Sequence, residues 1–97
     1  MAYDPGAIDA TLAAAVGDEP QLIAELREAF LDGVQRGLAG LERARDVHEW
    51  RISALRLKGL AASFGAIRLM AIANEVAEAE LQNIEVLRKL RRAAERL

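Results

Sequence analysis

The sequence predicts an all-α protein, an up-down antiparallel four-helix bundle with a short extra N-terminal helix. Apolar residues recur at intervals of three and four along almost all of the 97 residues, and no strict alternation is long enough to indicate a strand. The chain is 53% hydrophobic and has only two prolines, which suits a packed helical core with few interruptions. Successive helices are joined by short connections, which favours antiparallel neighbours.

Composition indicates one domain, residues 1–97, and argues against several kinds of site. The chain has no cysteine, so it has neither a disulfide framework nor a thiolate metal site, and its fold depends on its core. The formal net charge is −2, from 13 basic and 15 acidic residues, so no overall field attracts nucleic acid. No glycine-rich phosphate loop or metal-ligand spacing is present. We therefore expect no nucleic-acid partner, no cofactor and no enzymatic activity.

The first residues and the length of the apolar runs indicate the cellular location of the protein. The segment MAYDPGAIDA contains acidic residues and lacks the apolar stretch of a secretory signal. No apolar run approaches the ~18 residues needed to cross a bilayer. These features predict a cytoplasmic protein with no membrane partner.

Basic residues crowd the last predicted helix. They are Arg88, Lys89, Arg91, Arg92 and Arg96. The helix macrodipole favours cations in the last turns of a helix. We therefore interpret the cluster as a solvated helix end rather than as a patch for phosphate or an acidic partner.

The first two helices are predicted over residues 7–16 and 19–44. Gly17-Asp18-Glu19-Pro20 separates them, with Asp18 as the N-cap of the second helix and Pro20 in its tolerated first turn. The second helix has an apolar stripe spaced by three and four residues: Ile23, Leu26, Phe30, Val34, Leu38 and Leu41.

A line of small residues runs beside that stripe. It consists of Ala29, Gly33, Gly37, Gly40 and Ala44. Each glycine inside a helix costs about 1 kcal/mol relative to alanine, so the pattern needs a physical reason. We favour close approach of a neighbouring helix, and the alternative is an open groove for a partner.

Three further helices are predicted over residues 49–64, 66–79 and 83–97. Residues 45–48 are predicted to form a connection, and Gly65 is predicted to end the third helix. The predicted core positions of the fourth helix are Leu69, Ile72, Ala73 and Val76. Those of the fifth helix are Ile84, Leu87, Leu90, Ala94 and Leu97.

Angular positions around the third helix predict which side faces solvent. The residues within about 60° of one direction, which we assign to the core, are Trp50, Ala54, Leu57, Ala61 and Phe64. Leu55 lies about 160° from Leu57 and is therefore predicted to face solvent. We define the Leu55 face as Arg51, Ile52, Leu55, Arg56, Lys58, Gly59, Ala62 and Ser63. Its low, partly apolar centre and basic edge predict a surface that binds another protein.

The same stretch resembles the signature of histidine-containing phosphotransfer (HPt) domains. That family typically has Ala-His-x-Leu-Lys-Gly, then small residues and a Gly-Ala-like helix break. The corresponding segments here are Ala54-Leu55-Arg56-Leu57-Lys58-Gly59 and Ala61-Ala62-Ser63-Phe64-Gly65-Ala66. The resemblance also includes residues 17–22, Phe30-Leu31, Trp50 and Leu69, and so spans nearly the whole chain.

The resemblance implies a role in two-component signalling. In the family, the histidine accepts a phosphoryl group from a receiver-domain aspartate and passes it on. Lys58 resembles the lysine that offsets phosphoryl charge, and Gly59 resembles the glycine that gives a receiver domain room. Leu55 stands at the histidine position and has no lone pair with which to attack phosphorus. The implied function is binding of a response-regulator receiver domain or a histidine kinase without carrying phosphate.

Two other interpretations stay open. One is an ordinary phosphotransfer protein in which leucine has replaced the acceptor histidine at position 55. The other is a helical structural unit that forms a homodimer through the Leu55 face or the line of small residues. The single histidine, His48, lacks a Lys-Gly pair at the right offset, and we interpret it as a loop residue rather than a displaced acceptor.

Overall fold

The structure, a computed structural model, describes residues 10–14, 17 and 19–97. The regular secondary structure of those residues is helical and includes no strand, which confirms the predicted all-α class. Residues 10–14 are helical and are called α1. The longer helices are α2 (Pro20–Arg43), α3 (Val47–Ser63), α4 (Ile67–Glu78) and α5 (Ile84–Glu95). No helix in the described part of the chain is both long and apolar enough to cross a membrane.

The predicted bounds of α2, α4 and α5 agree with the structure to within two residues at each end. The first predicted helix is helical over residues 10–14, and its other positions lie outside the described residues. The predicted cap Asp18 also lies outside them. Glu19 occupies the N-cap position of α2 without a capping hydrogen bond from its side chain, and Pro20 follows it in the first turn as predicted.

The start of α3 corrects the predicted connection, because Val47 and His48 are already helical. Asp46 is the N-cap, and its side chain accepts a hydrogen bond from the backbone N–H of Glu49 at 2.8 Å. In return, Glu49 Oε1 accepts one from the backbone N–H of Arg45 at 2.7 Å. This reciprocal arrangement resembles a capping box and begins the helix at the residue after Asp46.

The end of α3 agrees with the break predicted at Gly65. The backbone N–H of Ala66 donates to Ala61 O at 2.9 Å, and that of Gly65 donates to Ala62 O at 3.2 Å. This pair of hydrogen bonds is a Schellman motif, which requires a left-handed residue. Gly65 supplies it with a φ of +71°, a conformation that glycine adopts without a Cβ penalty.

The core is centred on α3, which packs against both α2 and α4, while α4 also packs against α5. Trp50 is fully buried, and its Nε1 donates to Val76 O at 2.7 Å, joining α3 to α4. The rings of Phe30 and Phe64 stack with centroids 4.7 Å apart. The predicted core positions of α2, α3 and α4 are all buried or packed against this core. Ile84 of α5 is wrongly predicted, because it begins the helix and is 58% exposed.

The line of small residues in α2 allows close approach of α3, as predicted. A Cβ added to Gly33 would lie 2.8 Å from Leu60 Cδ2, one added to Gly37 would lie 2.9 Å from Leu57 Cδ1, and one added to Gly40 would lie 3.0 Å from Ser53 Oγ. Residue numbers rise along α2 as they fall along α3, so these two helices are antiparallel. The glycines make room for side chains that alanines would displace.

Side chains join α5 and the turn before it to the end of α2. Gln82, with a φ of +59°, donates from Nε2 to Leu41 O at 2.8 Å and to Ala44 O at 3.1 Å. Carbonyls at the end of a helix lack intrahelical partners, so this amide satisfies part of that need. Two residues before Ala44, Glu42 pairs with Arg91 of α5.

Candidate docking face on α3

The outward orientation predicted for Leu55 is confirmed. Its side chain is 47% exposed, whereas Leu57 is 1% exposed. Two residues correspond to about 160° around a helix, so burial of one leucine exposes the other. The tight contact of Leu57 with Gly37 of α2 fixes this rotation of α3.

The structure brings all eight residues of the Leu55 face to one surface. Lys58 is half-buried, and the exposed members are Arg51, Ile52, Leu55, Arg56, Gly59, Ala62 and Ser63. Positions three and four apart are neighbours on a helix, so these residues form a continuous strip. Leu55 lies near its middle.

Gly59 makes the centre of the face low. A Cβ built on it would meet no atom within 4 Å. One turn later, the Ser63 hydroxyl donates to Gly59 O at 3.0 Å and is thus turned back onto its own helix. Ala62, next to Ser63, carries only a methyl group. An approaching surface therefore meets no long side chain at Gly59, Ala62 and Ser63.

Lys58 is held at the side of the face by α4. Its Nζ donates to Asn74 Oδ1 at 2.9 Å, across 16 positions of sequence. The hydrogen bond directs the ammonium group toward α4, at the edge of the Leu55 face. A charged group on a fixed stem loses less conformational entropy when it contacts a partner.

The exposed surface continues onto α4, beyond the residues of the Leu55 face. Ile67 is 64% exposed, and Ala71 and Asn74 are exposed along the same side of the helix. The hydrogen bond from Lys58 to Asn74 joins this strip to the Leu55 face. The signal is present in the sequence, because these positions lie opposite the predicted core stripe that contains Leu69.

The edge of the face toward α2 is basic. Two adjoining grooves run between α2 and α3, and the residues that line both are Gly40, Arg43, Ser53 and Arg56. Arg45 and Glu49 also line one groove. Arg36 lines the other and pairs with Asp32 at 3.2 Å. Cations outnumber carboxylates along this edge, which favours an acidic partner surface.

The side chain at the centre of the face carries no nucleophile. Leu55 has only C–H bonds, and within the described residues no group of three or more His, Cys, Asp and Glu side chains is arranged to hold a metal ion. His48 is exposed in the first turn of α3, so its assignment to a loop is wrong. The residue four positions after it is Ile52 rather than glycine, so His48 lacks the glycine that follows the family histidine by one turn.

No protein-family model, curated protein or solved structure matches the chain. A function is therefore inferred from the geometry of the Leu55 face and from the resemblance of its residues to the HPt signature.

Proposed function

We propose that the chain is an HPt-like signalling module without the phosphorylatable histidine. It binds a response-regulator receiver domain or a histidine kinase and carries no phosphate. In this proposal α2 to α5 form the up-down four-helix bundle of that family, and the protein is a cytoplasmic binding module rather than an enzyme. The observation that carries the proposal is the exposed Leu55, one helical turn before Lys58 and Gly59 on the same face.

Leu55 contributes apolar contact at the middle of the proposed interface. Full burial of a leucine side chain is worth about 1.5–3 kcal/mol. Because 47% of Leu55 is exposed, a partner that covers it gains roughly 1 kcal/mol from this residue. Residues near the centre of an interface, shielded from water by their neighbours, contribute most to affinity. Leucine at this position therefore supports docking although it removes the acceptor.

The charges around Leu55 favour a partner with an acidic surface. Arg51 and Arg56 flank it on α3, and Arg43 extends the basic edge onto α2. Complementary charge at the rim of an interface raises the association rate more than the affinity. Binding to such a partner is therefore expected to weaken as salt concentration rises.

Titration of the labelled chain with receiver domains from its own source tests the proposal. We expect saturable shifts of backbone amide resonances in α3, centred on Leu55 and Gly59, with smaller shifts at Ile67 and Ala71. Leu55→Ser is expected to weaken binding about fivefold, the equivalent of roughly 1 kcal/mol. Shifts confined to another surface, or no shifts with any such receiver, would contradict the docking proposal.

Ile84→Ser is the matched control. Ile84 is 58% exposed, begins another helix and lies outside the Leu55 face. Ile84→Ser therefore removes a similar amount of exposed apolar surface without changing the proposed interface. We expect it to leave receiver affinity unchanged. Light scattering of the chain alone tests the homodimer interpretation. A dimer that Leu55→Ser weakens and Ile84→Ser does not would assign the face to a second copy.

Incubation with a phosphorylated receiver domain tests the missing transfer step. Phosphoryl transfer needs a lone pair aligned with the leaving oxygen, so we expect no label on the unaltered chain. Leu55→His places an imidazole three residues before Lys58 and four before Gly59. Acid-labile label on this variant would show that the remaining groups still support the family reaction. Label on the unaltered chain would disprove the proposal that it carries no phosphate.

A further inference from the structure

The exposed side of α2 carries a stripe of residues that is symmetric about its middle. We define the α2 stripe as Glu25, Ala29, Asp32, Arg36, Ala39 and Arg43. At about 100° per residue, all six residues lie within about 40° of one direction around the helix. The buried Val34 points the opposite way, at the level of the middle of the stripe. Five of the six residues are exposed, and Ala39 is half-buried.

Positions at equal distances on either side of Val34 have complementary side chains. From the middle outward, the pairs are Asp32 with Arg36, Ala29 with Ala39, and Glu25 with Arg43. Their members lie two, five and nine residues from Val34, respectively. The order along the stripe is acid, alanine, acid, base, alanine, base. When the helix is reversed, each acid therefore meets a base and each alanine meets an alanine.

Ordinary helix electrostatics explain part of this pattern. The macrodipole favours cations in the last turn, where Arg43 lies, but Glu25 is the sixth residue of α2 and lies beyond the first turn. Asp32 and Arg36 form an ion pair at 3.2 Å within the helix, which accounts for the two central residues alone. The symmetry of the whole stripe needs a further reason.

We propose that the α2 stripe binds the same stripe of a second copy of this chain, in an antiparallel, two-fold symmetric dimer. A two-fold interface repeats each contact twice, so one self-complementary patch is enough to form it. With the symmetry axis at the level of Val34, Glu25 of each copy faces Arg43 of the other. Asp32 of each copy likewise faces Arg36 of the other.

The alanines allow the two helices to approach closely. Packed helices lie about 8–10 Å apart, and the side chains at the contact set the distance. Ala29 of one copy meets Ala39 of the other, so only methyl groups separate the backbones there. The side chains of Asp32 and Arg36 are 67% and 77% exposed, which leaves both accessible to a second copy. The ion pairs of the two copies then form one network of four charges, which contributes more than an isolated surface pair.

This contact does not depend on the function proposed for the Leu55 face. Leu55 points away from α2, because Leu57 on the other side of α3 contacts the position of Gly37. Arg36 and Arg43 also line a groove at the basic edge of the Leu55 face. The dimer is therefore tested through the mass of the chain alone, without a receiver domain.

Light scattering across a concentration series measures the dimer. A contact confined to one helix of each copy is small, so we expect a dissociation constant of about 0.1–1 mM at low salt. In about 1 M salt the Debye length falls to about 3 Å, and the mass should return to that of a monomer. Glu25→Arg and Arg43→Glu should each raise the dissociation constant at least about tenfold, because each places like charges opposite one another twice per dimer.

An equimolar mixture of these two variants tests the pairing directly. In the mixed dimer every altered residue faces an opposite charge, so its dissociation constant should lie within about threefold of that of the unaltered chain. Mixing cannot rescue a variant that fails to fold. Arg88→Glu makes the same charge change on an exposed residue of α5, outside the stripe, and should change the dissociation constant less than about twofold.

Four results would overturn the dimer proposal. The unaltered chain could remain a monomer at about 1 mM, which is incompatible with the expected affinity. The mixture of Glu25→Arg and Arg43→Glu could fail to dimerise. Arg88→Glu could weaken the dimer as much as Arg43→Glu does, which would reduce the effect to net charge. A dimer that Leu55→Ser weakens and Arg43→Glu does not would assign the contact to the Leu55 face instead.

Discussion

Two sets of glycines in this protein occupy helices for different physical reasons. In α2, Gly33, Gly37 and Gly40 face α3, and an added Cβ would lie within 3.0 Å of an α3 side chain at each position. In α3, Gly59 faces outward, and an added Cβ would meet nothing within 4 Å. Each glycine lowers helix stability by about 1 kcal/mol relative to alanine.

The difference shows which glycines the fold itself explains. Close packing of α3 on α2 accounts for the glycines of α2, because larger residues there would force the helices apart. No contact within the described chain accounts for Gly59. A residue that weakens its helix without an internal reason is expected where an external surface approaches, and Leu55 and Lys58 lie beside it.

The largest difference in the free energy of unfolding is expected between substitutions on the packed side and on the exposed side of α3. Leu57 is 1% exposed and contacts the position of Gly37, so Leu57→Ala should lower the free energy of unfolding by about 2–5 kcal/mol. Leu55 is 47% exposed, and Leu55→Ala should change it by less than about 1 kcal/mol. Urea denaturation followed by Trp50 fluorescence measures both.

Leucine and alanine have similar helix propensities, so the two substitutions differ mainly in burial. Similar losses for the two variants would mean that α3 is rotated relative to the structure described here. The Leu55 face would then lose its physical basis, because Leu55 would belong to the core.

Substitution by alanine is expected to change the free energy of unfolding in opposite directions at the two kinds of glycine. In Gly37→Ala the new methyl group would overlap Leu57 Cδ1, which is buried and has little room to move. Overpacking costs typically about 1–3 kcal/mol and exceeds the ~1 kcal/mol gained in helix propensity, so a net loss of about 1 kcal/mol follows. Gly59→Ala gains the propensity term alone and should stabilise the fold by about 1 kcal/mol.

Thermal unfolding at equal protein concentration compares these two variants directly. A stabilising Gly37→Ala would show that α2 and α3 are less closely packed than described. A destabilising Gly59→Ala would reveal an internal contact at Gly59, and the docking interpretation would lose the observation that distinguishes this glycine from those of α2.

The sequence predicts most of the fold because apolar periodicity specifies helices directly. Periodicity does not predict the beginning of α3, because that beginning depends on local hydrogen bonds among Arg45, Asp46 and Glu49. Periodicity wrongly places Ile84 in the core, because it indicates which side of a helix a residue lies on and not whether another helix covers the first turn. The break at Gly65 was predictable because its residue type matches the left-handed conformation that the turn requires.

The candidate sites divide in the same way. The exposure of Leu55 follows from the position of Leu57 on the same helix, so one helix is enough to predict it. The extension of the surface to Asn74 depends on how α3 packs against α4, which helical periodicity does not specify.

The smallest change in the free energy of unfolding is expected at Gly40, where the gain in helix propensity and the packing strain nearly cancel. An added Cβ would lie 3.0 Å from Ser53 Oγ, and the hydroxyl is a small group on a half-buried side chain. The propensity gained in Gly40→Ala and the strain against Ser53 are each about 1 kcal/mol, so the net change should stay within about 0.5 kcal/mol.

A double-mutant cycle separates these two terms. Ser53→Ala removes the hydroxyl and leaves Ser53 Cβ, which would lie 3.6 Å from the added Cβ, an ordinary contact distance. In that background Gly40→Ala should stabilise by about 0.5–1 kcal/mol more than it does alone, a coupling that equilibrium unfolding can measure. Zero coupling would mean that Ser53 moves aside freely and that Gly40, like Gly59, has no packing reason within the fold. The small-residue line would then be closely packed only around Gly33 and Gly37, and its end beside Arg43 and Arg56 would belong to the basic edge of the docking face.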